Sequence, residues 1–332
     1  MYLEHFGLDQ PPFRITPDTR VFYPGGDRGP VLEALAWAVE NGEGIVKVVG
    51  EVGSGKTMLS RMLATRLDDR VDLVYLVNPG LGPEDVVPAV AFELGLEVDP
   101  ANRLDAQHRL QDELVSRHAS GRQVVVFIEE AQNVPLETLE SLRLLSNLET
   151  DDAKLLQIVL FGQPELDAKL DANEIRQLRE RITHAFDLRP LSSGDAARYL
   201  DFRLRAVGYG GPDLFSPRVA RALNREADGL IRRLNVLADK ALLAAYADGT
   251  HRVRRRHVRQ AARDMRGARG PGQRRSGWLL GLAGGLTIVL VLGIVAWILL
   301  GRPGYVPAPA APTGSASEAP AAANGSEGGD GP

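Results

Sequence analysis

The run Ile45-Val46-Lys47-Val48-Val49-Gly50-Glu51-Val52-Gly53-Ser54-Gly55-Lys56-Thr57 decides the fold of this chain. Its first five residues are apolar except for Lys47, the composition of a strand buried on both faces of a parallel sheet. The next eight, Gly50, Glu51, Val52, Gly53, Ser54, Gly55, Lys56 and Thr57, have the form GxxxxGK[ST], and residues 58–67 beyond them read as a helix. A glycine-rich loop between a strand and a helix N-terminus lets successive backbone N–H groups converge on phosphate. In such a loop Lys56 neutralises charge on the β- and γ-phosphates and Thr57 ligates Mg²⁺. A chance match to this pattern is expected only about 0.004 times in a chain of this composition. The motif therefore predicts a phosphate-binding site at residues 50–57, with ATP and Mg²⁺ as its ligands.

A phosphate loop needs an acid at the end of a second buried strand, and Val124-Val125-Val126-Phe127-Ile128-Glu129-Glu130 supplies two. Glu129 is placed to hold the Mg²⁺ shell, and Glu130 to activate or orient the attacking water. Other apolar runs fall at residues 71–77, 155–161 and 183–188, so five strands are expected with helices between them. After Pro190 the strands stop. Residues 192–207, 216–226, 230–247 and 255–265 read as helices, two of them opening on Ser. The predicted fold class is α/β: a P-loop core with a five-stranded parallel sheet over residues 1–190, including an N-terminal extension, then a small all-helical lid at 191–266.

The remainder of the chain has a different character. From Arg252 to Arg275 there are ten arginines and one acid, Asp264, although the whole chain of 332 residues carries a net charge of only −4. Residues 267–277 form a basic linker, and residues 278–300 then run without a charge. A helix of that length covers about 34 Å, enough for a hydrocarbon core of about 30 Å, so a transmembrane helix is expected. Arg269, Arg274 and Arg275 before it, against Arg302 after it, orient the N-terminal bulk to the cytoplasm. Gly277, Gly281 and Gly285 share one face of that helix and would permit close helix pairing. Residues 301–332 are rich in Pro, Ala, Gly and Ser and predict a disordered tail. There are no cysteines, which excludes disulfides, thiolate metal sites and cysteine nucleophiles. Met1 to Leu8 holds Glu4 and His5 and no apolar run, so no cleavable signal peptide is expected. The six histidines, at 5, 108, 118, 184, 251 and 257, show no metal-ligand spacing.

Several further motifs resemble a known family. Phe6-Gly7-Leu8, Pro12-Phe13, Pro17-Asp18 and Phe22-Tyr23 precede the phosphate loop; Glu130-Ala131-Gln132, Gly162-Gln163-Pro164-Glu165-Leu166, Leu178-Arg179-Glu180-Arg181-Ile182 and Arg232-Arg233-Leu234-Asn235 follow it. In this order they resemble the AAA-type ATPases of the general secretion pathway protein A family. The stretch from Leu139 to Leu166 is similar to the branch that serves biogenesis of the mannose-sensitive haemagglutinin pilus. The resemblance covers about residues 1–265. It implies self-association as a ring or other oligomer, with Gln163 as a sensor of the γ-phosphate, Arg179 or Arg181 as an arginine finger acting on a neighbouring subunit, and Arg232 or Arg233 as a second sensor in the lid. It further implies partners among pilus or secretion-system assembly proteins, and a single-pass location in a bacterial inner membrane with the C-terminal tail in the periplasm. Two departures stand out. The commoner family pattern at the second strand is Asp-Glu, where this chain has Glu129-Glu130, and the tail is too short for the peptidoglycan-binding domain of the best-known members.

Two rival readings share these motifs. One is an assembly scaffold in which nucleotide stabilises an oligomer and hydrolysis is slow. The other is a helper in DNA transactions, in which the arginine run grips phosphates; the position of that run beside the apolar segment favours a membrane role and makes nucleic acid the weaker partner. Phe13, Phe22 and Tyr23 are candidates either for cradling a base or for packing between domains.

Overall fold

The computed structural model describes residues 2–267 except 77, 79, 100, 151, 152, 173 and 174. The expected transmembrane helix at 278–300, the linker from 268 onward and the tail lie outside the described residues. Among the described residues no helix is long and apolar enough to cross a membrane.

Five strands, β1 (Ile45–Val49), β2 (Val71–Leu76), β3 (Gln123–Ile128), β4 (Leu156–Gly162) and β5 (Ile182–Asp187), form one sheet in the order β2-β3-β4-β1-β5. All neighbours are parallel. The sheet is therefore the one expected from the apolar runs, with ends shifted by a residue or so. Strand β3 shows why such runs lack alternation: Val124, Val126 and Ile128 enter one hydrophobic cluster, while Val125 and Phe127 enter another. Both faces are covered, so every position must be apolar. Each such side chain stabilises the fold by roughly 1.5–3 kcal/mol.

Around the sheet lie α2 (Arg28–Glu40), α3 (Lys56–Arg66), α4 (Val86–Glu93), α5 (Arg103–Ala119), α6 (Leu136–Leu145), α7 (Glu165–Leu170) and α8 (Arg176–Glu180). A short α1 (Tyr2–Phe6) opens the chain, and α9 (Ser193–Arg205), α10 (Pro217–Ala227), α11 (Ile231–Ala247) and α12 (Arg255–Gly267) close the described part. The last four helices share a hydrophobic cluster of their own, distinct from the two that flank the sheet. The N-terminal segment joins this third cluster rather than the sheet: Phe6, Leu8 and Phe13 are buried in it, and Phe13 meets Phe215 edge-on. Hydrogen bonds fix the segment there, from Arg203 Nε to the Pro12 carbonyl at 2.8 Å and from Tyr2 Oη to Asp239 at 3.0 Å. So residues 2–13, grouped by sequence with the α/β core, pack with the helical layer, whereas Phe22 packs against a cluster that flanks the sheet. All three clusters fall within one compact unit, Met1–Arg269.

The strand order places the chemistry. Because β4 lies between β1 and β3, the C-terminal ends of these three strands meet at one edge, with Val49 beside Gly162 and Ile128 beside Leu160. Ligands of open parallel sheets bind at that edge.

Candidate functional site

Strand β1 ends at Val49, and the loop from Gly50 to Gly55 turns directly into α3. Two positions in it require glycine. Gly53 has φ +82° and Gly55 has φ +110°, both in the left-handed region that side chains disfavour. A Cβ at Gly53 would also lie 2.7 Å from Arg232 Cβ, because the N-terminus of α11 rests on the loop. There the Arg232 N–H donates to the Gly53 carbonyl at 3.1 Å.

Lys56, the first residue of α3, is buried and donates to the loop carbonyls of Gly50 at 2.7 Å and Glu51 at 3.3 Å. Burial pushes its ammonium pKa down, against the raising pull of Glu130, Glu51 and Glu129. Next to it, Thr57 Oγ1 donates to Glu129 Oε2 at 2.9 Å. The other carboxylate oxygen of Glu129 accepts from Ser60 Oγ at 2.6 Å, one turn further along α3. The end of β3 is thus joined to the start of α3 through Glu129.

Glu130 adopts a different posture. Its φ is +53°, uncommon outside glycine, and the turn that follows is closed by Asn133 N–H donating to the Glu130 carbonyl at 2.8 Å. Its Oε2 accepts from Gln132 Nε2 at 2.7 Å and from Gln163 Nε2 at 2.9 Å. Gln132 also accepts, at 3.0 Å, from the backbone N–H of Gln163, so one side chain braces both residues. Lys169 anchors the same turn through the carbonyls of Gln132 and Val134 at 2.7 and 2.6 Å. Burial works to raise the Glu130 carboxyl, but the two glutamine bonds and the Lys56 charge outweigh it and leave the group below its ordinary range. Glu130 is consequently ionised at neutral pH.

A cavity of about 460 Å³ opens over these residues. Its floor holds Gly53, Gly55, Lys56, Thr57 and Glu130; Ile15, Pro17, Phe22 and Tyr23 form one wall, and Ile231, Arg232 and Asn235 of α11 the other. Phe22 and Tyr23 thus line the cavity while also packing against the hydrophobic clusters, whereas Phe13 is core. Of the paired arginines, Arg232 faces the cavity, while Arg233 turns away to Asp228 and to the Glu226 carbonyl at 3.3 Å. Arg179 and Arg181 do not line it. Both are exposed at α8, where Arg179 meets Asp171 at 2.8 Å.

Two contributors were not singled out from sequence. Arg28, only 3% exposed, donates from Nη2 to the Ser54 carbonyl at 2.9 Å and to the Arg189 carbonyl at 3.1 Å, and from Nη1 to Gly26. It ties the phosphate loop to the chain segment that leaves β5 for α9. Ser60 is the other; Gln132 belongs to the Glu130-Ala131-Gln132 motif, but its bracing of Glu130 and Gln163 is seen only in the structure.

The residues fit a nucleotide with Mg²⁺. The Ser54 hydroxyl is buried in the loop without a hydrogen-bond partner among the described residues, and Thr57 and Glu129 present the hard oxygen donors that Mg²⁺ takes.

Comparison with known proteins bears on the family and the fold. Residues 39–170 match a family model described as AAA domain. Over 289 residues the chain is 39% identical to general secretion pathway protein A of Aeromonas hydrophila, covering 87% of this chain and 53% of that protein. The chain therefore spans about half the length of that curated relative. Among solved structures, Cdc6p of Pyrobaculum aerophilum matches with a TM-score of 0.57 at 16% identity, over 74% of this chain and 71% of its own. The ORC1 protein of Aeropyrum pernix in complex with DNA matches with a TM-score of 0.56 at 18% identity, over 77% and 69%. At such identities the likeness is one of fold.

Proposed function

We propose that this chain, which belongs to the AAA-type ATPases of the general secretion pathway protein A family, couples ATP binding and hydrolysis to assembly of a machine in the bacterial cell envelope. The observation that carries the reading is the division of the two acids: Glu129 on the Thr57 hydroxyl at 2.9 Å, Glu130 on Gln163 at 2.9 Å, both beside Lys56.

Each residue then has a step. Lys56 leaves the carbonyls of Gly50 and Glu51 for the β- and γ-phosphates, which restores the charge that burial disfavours. The loop N–H groups of residues 50–57 hold the phosphate oxygens, and Arg232 approaches them from α11. Thr57 and Glu129 would hold Mg²⁺, which would supply positive charge against the negative charge that develops on transfer. Glu130 receives the proton of the water whose oxygen attacks the γ-phosphorus as the bond to the β-phosphate oxygen breaks, giving ADP and inorganic phosphate. Gln163 and Gln132 keep the Glu130 carboxylate ionised and aimed. Arg179 or Arg181 serves a neighbouring copy, since neither reaches the cavity of its own chain, and this requires a ring or similar oligomer.

The envelope role draws on the relative's name and on the sequence beyond the described residues. Residues 278–300 anchor the chain once in the inner membrane, with the ATPase in the cytoplasm and the tail in the periplasm. The machine served is a type II secretion system or a type IV pilus of the haemagglutinin type. One observation favours the slow-turnover scaffold as a second reading: both oxygens of Glu129 are already taken, by Thr57 and Ser60.

Affinity capture of the tagged full chain from membranes tests the coupling. Membrane assembly proteins are expected to co-purify with ATP and the Glu130→Gln chain, and to be lost with Lys56→Ala. Partner recovery that ignores nucleotide and both substitutions would contradict the proposal.

A further inference from the structure

Helix α12 has two unlike faces. His257, Val258, Ala261 and Ala262 are buried in the helical layer. The opposite face carries Arg255, Arg259 and Arg263, all exposed, and their four-residue spacing stacks them one turn apart on one side. No acid pairs with these three among the described residues. Their neighbours differ in this respect: Arg256 is engaged by Asp248 at 2.8 Å and Arg266 by Glu226 at 3.0 Å. The single acid of the helix, Asp264, comes nine residues after Arg255, about half a turn round.

Helix α10 runs alongside. The Val253 N–H donates to the Leu214 carbonyl at 3.1 Å just before both helices begin, and Arg266 meets Glu226 near both ends. The exposed residues of α10 include Arg218, Arg221 and Arg225, again without an acidic partner among the described residues. A chain with a net charge of −4 thus gathers uncompensated positive charge on one pair of helices. These guanidinium groups repel one another, and apart from Arg221, which donates to the Pro217 carbonyl of its own helix at 3.3 Å, none has a polar partner among the described residues. Their counter-charge must come from outside the fold.

The chain that follows indicates its source. Only ten residues, 268–277, separate α12 from the charge-free run at 278–300. Even fully extended, they reach no more than about 36 Å. We propose that the Arg255–Arg259–Arg263 face of α12, with the arginines of α10 beside it, docks on the anionic headgroups of the bilayer and holds the helical layer against the membrane. The proposal rests on the reading of residues 278–300 as a membrane anchor, because that anchor keeps α12 within reach of the surface. A nucleic acid offers the same phosphate charge but has no such tether.

Residues 1–267, which contain all three hydrophobic clusters, allow the surface to be tested without the anchor. The probes are vesicles of phosphatidylcholine alone and vesicles in which about one-third of the lipid is phosphatidylglycerol. Co-sedimentation is expected with the anionic vesicles only, and is lost in about 0.5 M salt. An arginine near an anionic surface contributes roughly a fivefold gain in partitioning, so the triple substitution Arg255→Gln, Arg259→Gln, Arg263→Gln should lower it on the order of a hundredfold. Its thermal unfolding should be unchanged. Equal binding to neutral vesicles, no binding to anionic ones, or an unaffected triple variant would overturn the proposal. So would preference for duplex DNA over anionic vesicles in direct competition. The anchor is read separately, by retention of the full chain in neutral vesicles, so that either reading can fail by itself.

Discussion

Replacing Arg28 by methionine keeps the length and apolar stem of the side chain and removes its charged fork. The native guanidinium makes three hydrogen bonds to backbone carbonyls, of Ser54, Arg189 and Gly26, from a site only 3% exposed. Hydrogen bonds involving a charged group contribute about 1.5 kcal/mol each at the low end, or roughly 4.5 kcal/mol in all. Burial of the charge, which also pulls the Arg28 pKa down, returns part of that when the group is removed. The net loss should be about 3 kcal/mol. At roughly 2 cal/mol/K per residue over Met1–Arg269, this lowers Tm by about 5 °C. Ser54 belongs to the phosphate loop and Arg189 to the strand-to-helix crossing, so nucleotide affinity should fall as well. Arg28→Lys should recover part of the stability and little of the affinity, because a point charge cannot bridge both carbonyls. The measurements are chemical unfolding and titration with a fluorescent ATP analogue at a temperature where both variants are folded. A loss below about 1 kcal/mol with unchanged nucleotide affinity would refute the bridging role.

Gly53→Ala should cost about 1 kcal/mol of stability from its left-handed backbone, yet weaken nucleotide binding about tenfold or more, because the new Cβ meets Arg232 at 2.7 Å and displaces α11; equal affinity in the two proteins would show that α11 need not sit on the loop. Glu130 must be ionised to act, and its carboxyl is held below the ordinary range, so turnover should be full at neutral pH and fall only as pH drops below that range. Gln163→Leu removes one of the bonds that hold it low, so the acid limb of the kcat profile should move to higher pH; a limb that stays in place would remove Gln163 from this role. Ser60→Ala frees one oxygen of Glu129, and the Mg²⁺ concentration for half-maximal turnover should change by about tenfold. An unchanged Mg²⁺ dependence would separate Ser60 from the metal site.

The centre of the sheet was legible because β1, β3 and β4 are buried on both faces, which writes them as nearly continuous apolar runs, whereas the edge strand β5 alternates half-buried and exposed residues. Val124 to Ile128 needs no alternation to be recognised. The phosphate loop was legible because glycine, Lys56 and Thr57 have no cheaper explanation at that spacing. Residues that act through distant partners were not. Arg28 reads as an ordinary charged residue opening a helix, since nothing local marks it as buried or ties it to Ser54 and Arg189, which are 26 and 161 residues away. Ser60 becomes meaningful only once Glu129 is known to lie against α3. The N-terminal motifs were visible, but not their destination: the bond from Arg203 to Pro12 spans 191 residues. Which of Arg232 and Arg233 lines the cavity depends on how α11 docks on the loop, and no local pattern records that.

ATP hydrolysis by the Glu130→Gln chain, with nucleotide binding measured on the same sample, decides whether Glu130 takes the proton of the attacking water. Gln fills the space of Glu130 and can still meet Gln132 and Gln163, but it cannot take a proton. At saturating Mg²⁺ and ATP, turnover should be lower by about a hundredfold or more, with affinity within a few fold of the unsubstituted chain. Unchanged turnover, or a loss of binding as large as that caused by Glu129→Gln, would contradict the division of labour between the two carboxylates.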